Sequence, residues 1–282
     1  MILVTGATGK VASEAVRVLR QQEVPVRALV RDRLKAQALA KAGAELAVGD
    51  FDKPASLEKA MDSVSTVLLI SPGGVPTQEL GVIDAAARAG VEHVVKITSK
   101  ASPDSPIARQ RGQAEIEAGL IASGLDYTLL RNNFYMQNFL MLAPAIAQMN
   151  SFGSSAGIGQ VGFVDTRDVA SVAAEITASP AAHAGKTYLL TGPELLSYAD
   201  VAAVLSKVLG RPIVFGERTR GEDKQEMISA GVPEQIAAMN AHAVSLIAEG
   251  DAAWLSEDVP RILGRPARSF EQFAADYAAA FS

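Results

Sequence analysis

Short apolar runs rich in Val, Ile and Leu alternate with segments of helical period through the first half of the chain. The runs are Ile2–Thr5, Val26–Val30, Glu45–Val48, Thr66–Ile70, His93–Ile97 and Tyr127–Leu130. Between them apolar residues recur three or four apart, as in Val11, Ala15, Val18 and Leu19, or Leu80, Val82, Ile83 and Ala86. This alternation predicts βαβ units, a parallel sheet and helices on both of its faces. Ala85–Gly90 closes one helical segment with a cation in the last turn and a glycine to cap it, and Ala122-Ser123-Gly124 closes the next. Beyond about residue 150 the alternation loosens into a Gly/Ser loop, Ser151 to Gly162, followed by short strands near Thr187–Leu190 and Pro212–Phe215. The expected fold is α/β: a doubly wound parallel sheet in residues 1–150 and a smaller, interleaved C-terminal α/β lobe in residues 151–282, with an approximate boundary.

Composition narrows the function. The chain has 282 residues, 49% hydrophobic and 20% charged, with a net charge of −5, as in soluble globular proteins. The absence of cysteine removes disulfides, thiolate nucleophiles and Cys-ligated zinc, and three scattered histidines argue against a metal site. No Lys/Arg block offers a footprint for nucleic acid. The longest apolar stretch, Phe139 to Ala147, is broken by Pro144 and falls short of the roughly 20 residues of a bilayer span. The N-terminus runs directly into an apolar run and a glycine-rich turn, without the basic region of a leader peptide. A cytoplasmic protein is expected, with neither nucleic acid nor membrane as partner.

The chemistry concentrates where strands end. Gly6, Ala7, Thr8, Gly9, Lys10 and Val11 follow the first strand and open a helix, the context that a dinucleotide fingerprint requires. Gly6 suits the tight turn, Gly9 lets backbone approach a pyrophosphate at the helix N-terminus, and Ala12 permits close helix–strand packing. After the second strand stands Arg31, where an NAD-specific protein commonly carries an acid for the ribose 2′-hydroxyl. With Arg33 and Lys35 behind it, Arg31 suits the 2′-phosphate of NADP. The alternative is that Asp32 caps the next helix and pairs with Arg31, leaving the cofactor choice open. Asp50 and Phe51 follow the third strand, near where an adenine would lie, although Asp50 is equally suited to cap the following helix. Ser71 opens a small-residue loop, Ile70 to Gly74, after the fourth strand.

Two catalytic motifs are ruled out by the residues present. A Tyr-x-x-x-Lys pair, which lowers a tyrosine pKa for proton transfer in ordinary short-chain dehydrogenases, occurs at none of the five tyrosines. Gly153-Ser154-Ser155-Ala156-Gly157 matches the GxSxG string of serine hydrolases, but that string needs a strand before it and a helix after it. Here a helical stretch through Met149 and a strand-like Val161–Val164 flank it, so a flexible loop is expected. After the sixth strand, Asn132, Asn133, Phe134, Tyr135 and Gln137 bring amides and rings suited to a planar, apolar substrate. The plainer alternative is that Phe134, Tyr135 and Phe139 pack the two lobes together.

Taken together, TGATGK at Thr5–Lys10, VRD at Val30–Asp32, Thr98-Ser99, YTLLRNNFYMQN at Tyr127–Asn138 and DTRDVA at Asp165–Ala170 resemble the NmrA-like atypical short-chain dehydrogenase/reductases. Within that group the chain looks closest to type 2 NAD(P)H:quinone oxidoreductases and NAD(P)H azoreductases. The resemblance implies a Rossmann-like domain binding NADP(H) along Gly6 to Val11, with Arg31 by the 2′-phosphate and a substrate pocket near Asn132–Gln137 and Arg167. It also implies catalysis without a Tyr/Lys pair. Gln113 stands where some quinone reductases of the group have His, and Tyr135 or Gln113 is the residue expected to orient the acceptor. The expected activity is NADPH-dependent hydride transfer to a small, electron-poor aromatic acceptor, a quinone or an azo compound. A non-catalytic NADP-binding redox sensor is the alternative, and a homodimer the assembly considered.

Overall fold

The computed structural model describes residues 1–71 and 75–282. The chain runs β1 (Ile2–Val4), α1 (Lys10–Gln21), β2 (Val26–Val30), α2 (Gln37–Lys41), β3 (Glu45–Val48), α3 (Pro54–Ala60) and β4 (Thr66–Leu69). It continues through α4 (Pro76–Ala89), β5 (His93–Thr98), α5 (Ala108–Ala122), β6 (Asp126–Asn132), α6 (Ala143–Met149), β7 (Ser151–Ser154) and β8 (Gln160–Val161). Then follow α7 (Thr166–Ala178), β9 (Lys186–Leu190), β10 (Leu196–Ser197), α8 (Tyr198–Leu209) and β11 (Val214–Glu217). The last helices are α9 (Arg220–Ser229), α10 (Glu234–Ser245), α11 (Asp258–Leu263) and α12 (Phe270–Asp276).

Two compact units result, each from two pieces of chain: Met1–Asn132 with Thr166–Leu189, and Asn133–Asp165 with Leu190–Ser282. Segments are exchanged between the two units on either side of residue 150: α7, from the later half of the chain, packs against α1, β4 and β5 of the first unit. Its buried face includes Val169, Val172, Ala173 and Ile176.

The first unit holds a seven-stranded sheet in the order β3-β2-β1-β4-β5-β6-β9, with the pairings among β1 to β6 all parallel. All six predicted early strands are present, each within two residues of the predicted bounds. Gly90 takes the left-handed conformation at φ 74° that ends α4, which a residue with a Cβ adopts only under strain. Leu3, Leu29, Val67, Leu69, Val94 and Leu129 pack under α3, α4 and α5. The alternate positions Val4, Leu68 and Val95 are buried as well, as a parallel sheet covered on both faces requires.

In the second unit the Ser151–Gly162 stretch is not the loop expected. β7 pairs in parallel with β11, and β8 pairs antiparallel with β10. Their partners lie tens of residues away, so local pattern does not reveal them. The GxSxG string thus begins on a strand, but a turn follows it rather than a helix, and the nucleophile elbow is still missing. Phe139 centres this unit's core, with the Phe152, Phe163, Tyr198 and Phe270 rings around it.

Two of the three histidines meet at the amino-terminal edge of the sheet. The Thr128 hydroxyl donates to the His183 carbonyl at 2.8 Å, so His93 Nε2, 2.9 Å from the same oxygen, carries the hydrogen. His183 Nδ1 lies 2.7 Å from the Tyr188 hydroxyl. Burial pushes the His93 pKa down, with Asp126 opposing and His183 adding to the shift. Burial also lowers that of His183, with Lys186 adding and Glu175 opposing. The unfolded chain, at an ordinary value of about 6.5, therefore binds more protons than the folded one just below that pH. The stability that neutral histidines contribute is complete well above pH about 6.5 and is lost as pH falls below that value and on through the lowered folded-state values. Urea midpoints are expected to drop between pH 7.5 and 5.5, and to drop less in His93→Gln. Equal drops in both proteins contradict the assignment to His93.

Candidate functional site

Strand order reverses between β1 and β4, and the loops at the carboxyl ends of the strands meet there, where open α/β sheets bind ligands. Gly6 turns the chain at φ 57°, and a Cβ on it would stand 2.7 Å from the Ile70 carbonyl oxygen. The Thr5 hydroxyl fastens the same place, donating to the Ile70 carbonyl at 2.7 Å and accepting from the Ile70 N–H at 2.8 Å. The Gly6–Val11 turn and the start of the Ser71 loop are thus held side by side. Gly9 is the N-cap of α1 and supplies no capping side chain, and no acid lies in the first turn. The first N–H groups of this 12-residue helix are left for an external acceptor. Ala12 is fully buried, in keeping with the small residue its position calls for.

At the end of β2 the side chains around Arg31 have partners of their own. Asp32 is not the N-cap of the helical turn that follows, which is Arg33; its carboxylate accepts the Leu34 N–H at 2.8 Å in a local turn and forms no ion pair with Arg31. Arg33 is spent on the Leu46 carbonyl at 2.8 Å. Arg31 and Lys35 are exposed, and neither has a side-chain partner among the described residues. Asp50 accepts the Asp52 N–H at 3.2 Å, and the N-cap of α3 is Lys53 instead. Phe51 lies half-buried against the core beneath α3. Ser71 donates to Glu79 at 2.6 Å, while Pro72, Gly73 and Gly74 of the same loop lie outside the described residues.

The ends of β5 and β6 carry a buried polar network that sequence reasoning did not find. Thr98 Oγ1 lies 2.9 Å from Gln113 Oε1 and 3.1 Å from Glu117 Oε1, two acceptors for one hydroxyl hydrogen. Arg131 grips Glu117 through Nε at 3.1 Å and Nη2 at 2.5 Å. That charge-assisted pair raises the guanidinium pKa further. With Gln113 Oε1 turned to Thr98, its Nε2 faces away as a donor. The Ser99 hydroxyl, just past β5, is buried without a hydrogen-bond partner among the described residues.

Lys96 on β5 and Glu79 on α4 form an ion pair at 2.7 Å with side chains 1% and 0% exposed. Burial lowers the Lys96 pKa, with Glu79 and then Glu117 opposing. Both residues were legible as anomalies. Lys96 interrupts an apolar strand, and Glu79 lies three and four residues before Val82 and Ile83 on the same helix face.

Of the residues predicted to meet substrate, Asn132 and Arg167 belong to the first unit. In the second unit the Asn133 amide donates to the Ala252 carbonyl at 3.0 Å and accepts from the Phe134 N–H at 2.8 Å. Phe134 packs against the aromatic core. Tyr135 bridges to Val164, and Gln137 donates to Asp165 at 2.8 Å while buried. Asn133 and Gln137 therefore carry structural bonds of their own.

The model of the NmrA-like family matches residues 1–257. The chain belongs to the NmrA-like family. Among its relatives is an NAD(P)H azoreductase of Xenophilus azovorans, 40% identical over all of this chain and 99% of that protein. An NADPH-dependent quinone oxidoreductase of Escherichia coli, solved in complex with NADPH, is 31% identical with a TM-score of 0.90, covering 99% of this chain and 100% of that one. Triphenylmethane reductase of Citrobacter sp., complexed with NADP(H), is 30% identical with a TM-score of 0.88, covering 98% and 100%. Such whole-chain likeness gives this NmrA-like protein a Rossmann-like fold and groups it with NAD(P)H-dependent oxidoreductases, as its sequence motifs led one to expect. Among the described residues, no helix is long and apolar enough to cross a membrane.

Proposed function

We propose that this protein is an NADPH-dependent reductase that delivers hydride to an electron-poor planar acceptor of the quinone or azo class. The observation that carries the reading is the uncapped N-terminus of α1, framed by Gly6 and Gly9, together with Arg31 and Lys35 past the end of β2, both exposed and without a side-chain partner among the described residues. These features fit the cofactor. A Cβ at position 6 would fill the turn, and the helix end offers N–H donors rather than an acid to its pyrophosphate. Arg31 and Lys35 offer the charge that a 2′-phosphate requires.

The bound dinucleotide supplies the hydride. The chain's own contribution is to hold and orient. The α1 N-terminus anchors the phosphates, Arg31 and Lys35 fix the adenosine end, and Gln113, its amide oxygen turned to Thr98, presents an N–H toward an acceptor oxygen or nitrogen. Without a Tyr/Lys pair, rate acceleration comes chiefly from proximity and orientation.

The test is loss of nicotinamide absorbance when protein, NADPH or NADH, and a panel of quinones and azo dyes are mixed, with no-protein controls. Saturable turnover favouring NADPH is expected. Tight cofactor binding without turnover on any acceptor points instead to a sensor.

A further inference from the structure

The Lys96–Glu79 pair lies out of water, where its mutual attraction has to offset the desolvation of two charges. An apolar pair of similar volume would serve the fold as well or better. What an apolar pair would not do is reach Ser71. Glu79 divides its carboxylate, one oxygen facing Lys96 Nζ at 2.7 Å and the other accepting the Ser71 hydroxyl at 2.6 Å. Lys96 also donates to the Ile97 carbonyl, which fixes its ammonium within the sheet. A chain of contacts thus runs from the middle of β5 through α4 to the loop at the carboxyl end of β4.

Its location gives it a task. In a sheet ordered 3-2-1-4-5-6 a dinucleotide lies across the β1/β4 switch point, one half on each side. Arg31 and Lys35, past β2, are on the adenosine side, and Ser71 is on the other. We propose that the buried Lys96–Glu79 pair is a positioning element that holds Ser71 and so fixes the seat of the nicotinamide half of the cofactor. The inference rests on the dinucleotide reading given above. Lys96 and Glu79 touch neither cofactor nor acceptor. They act through Ser71.

The test uses the full chain with Glu79→Leu and Lys96→Met combined, so that no charge is left buried alone, and calorimetric titration with NADP+ and with 2′,5′-ADP, which lacks the nicotinamide half. The double variant is expected to keep the wild-type thermal midpoint or exceed it. Its 2′,5′-ADP affinity should stay within about twofold, while NADP+ binding weakens about tenfold, the equivalent of one lost hydrogen bond. Ser71→Ala is expected to reproduce the NADP+ loss and decides the matter if the double variant does not fold. NADP+ affinity within twofold of wild type overturns the proposal, and so does equal weakening of both ligands. Wild-type protein that binds neither ligand instead overturns the dinucleotide reading, which keeps the two failures apart.

Discussion

Arg31→Ala is expected to raise the KM and Kd for NADPH about 10- to 100-fold while leaving those for NADH within about twofold. The range follows from a charge-assisted hydrogen bond worth about 1.5–3 kcal/mol. The cation has the freedom this role demands. Asp32, the neighbour able to neutralise it, is turned to the Leu34 N–H, and Arg33 is committed to the Leu46 carbonyl. Lys35 remains as a second exposed cation, so some preference for NADPH should survive in Arg31→Ala and vanish when Lys35→Ala is added. Steady-state kinetics with both nucleotides read the effect. Equal losses for NADPH and NADH would remove Arg31 from the 2′-phosphate and return the cofactor preference to an open question.

Phe139→Ala should cost the second unit about 3–5 kcal/mol, the usual penalty for emptying a buried phenylalanine site. The ring is 2% exposed and lies 5.1 Å from Phe270 at 80° and 5.2 Å from Phe163 at 74°, both edge-on. Phe152 at 6.0 Å and Tyr198 at 5.4 Å complete the cluster. Each such pair adds about 0.5–1.5 kcal/mol beyond area burial. Trp254, the single tryptophan, belongs to this unit, so its fluorescence during urea unfolding reports the unit that carries the change. Far-UV circular dichroism weighs both units. The fluorescence transition is expected to move to lower urea, with Phe139→Leu intermediate. A shift equivalent to less than about 1 kcal/mol would show that the surrounding rings collapse into the space.

The βα order was legible because its signals are local: an apolar run, a glycine, then a helical period. The Gly6–Val11 turn and the Gly90 cap are of this kind, since a positive φ or a close backbone approach leaves its mark at a single position. The family motifs, spread from Thr5 to Ala170, were legible for the same reason. Arg31 was legible as a cation in an unusual place, although its freedom from Asp32 was not, because that depends on which N–H the carboxylate meets.

What the chain order conceals is pairing at a distance. β7, of sequence SFGS, becomes a strand only because VFGE in β11 lies beside it, and α7 joins the first unit only because α1 and two strands of the sheet offer it an apolar face. Asn133 and Gln137, which read as substrate ligands in sequence, have carbonyl and carboxylate partners 119 and 28 residues away that the sequence does not announce. Lys96 and Glu79 are each an oddity alone and become a device only when β5 and α4 bring them within 2.7 Å. The sequence by itself determined the parallel sheet, the glycine turn and the cofactor class, because backbone geometry and apolar periodicity are written residue by residue. Tertiary structure alone decided which polar groups are spent on one another, because a hydrogen bond depends on a partner whose place no local pattern records.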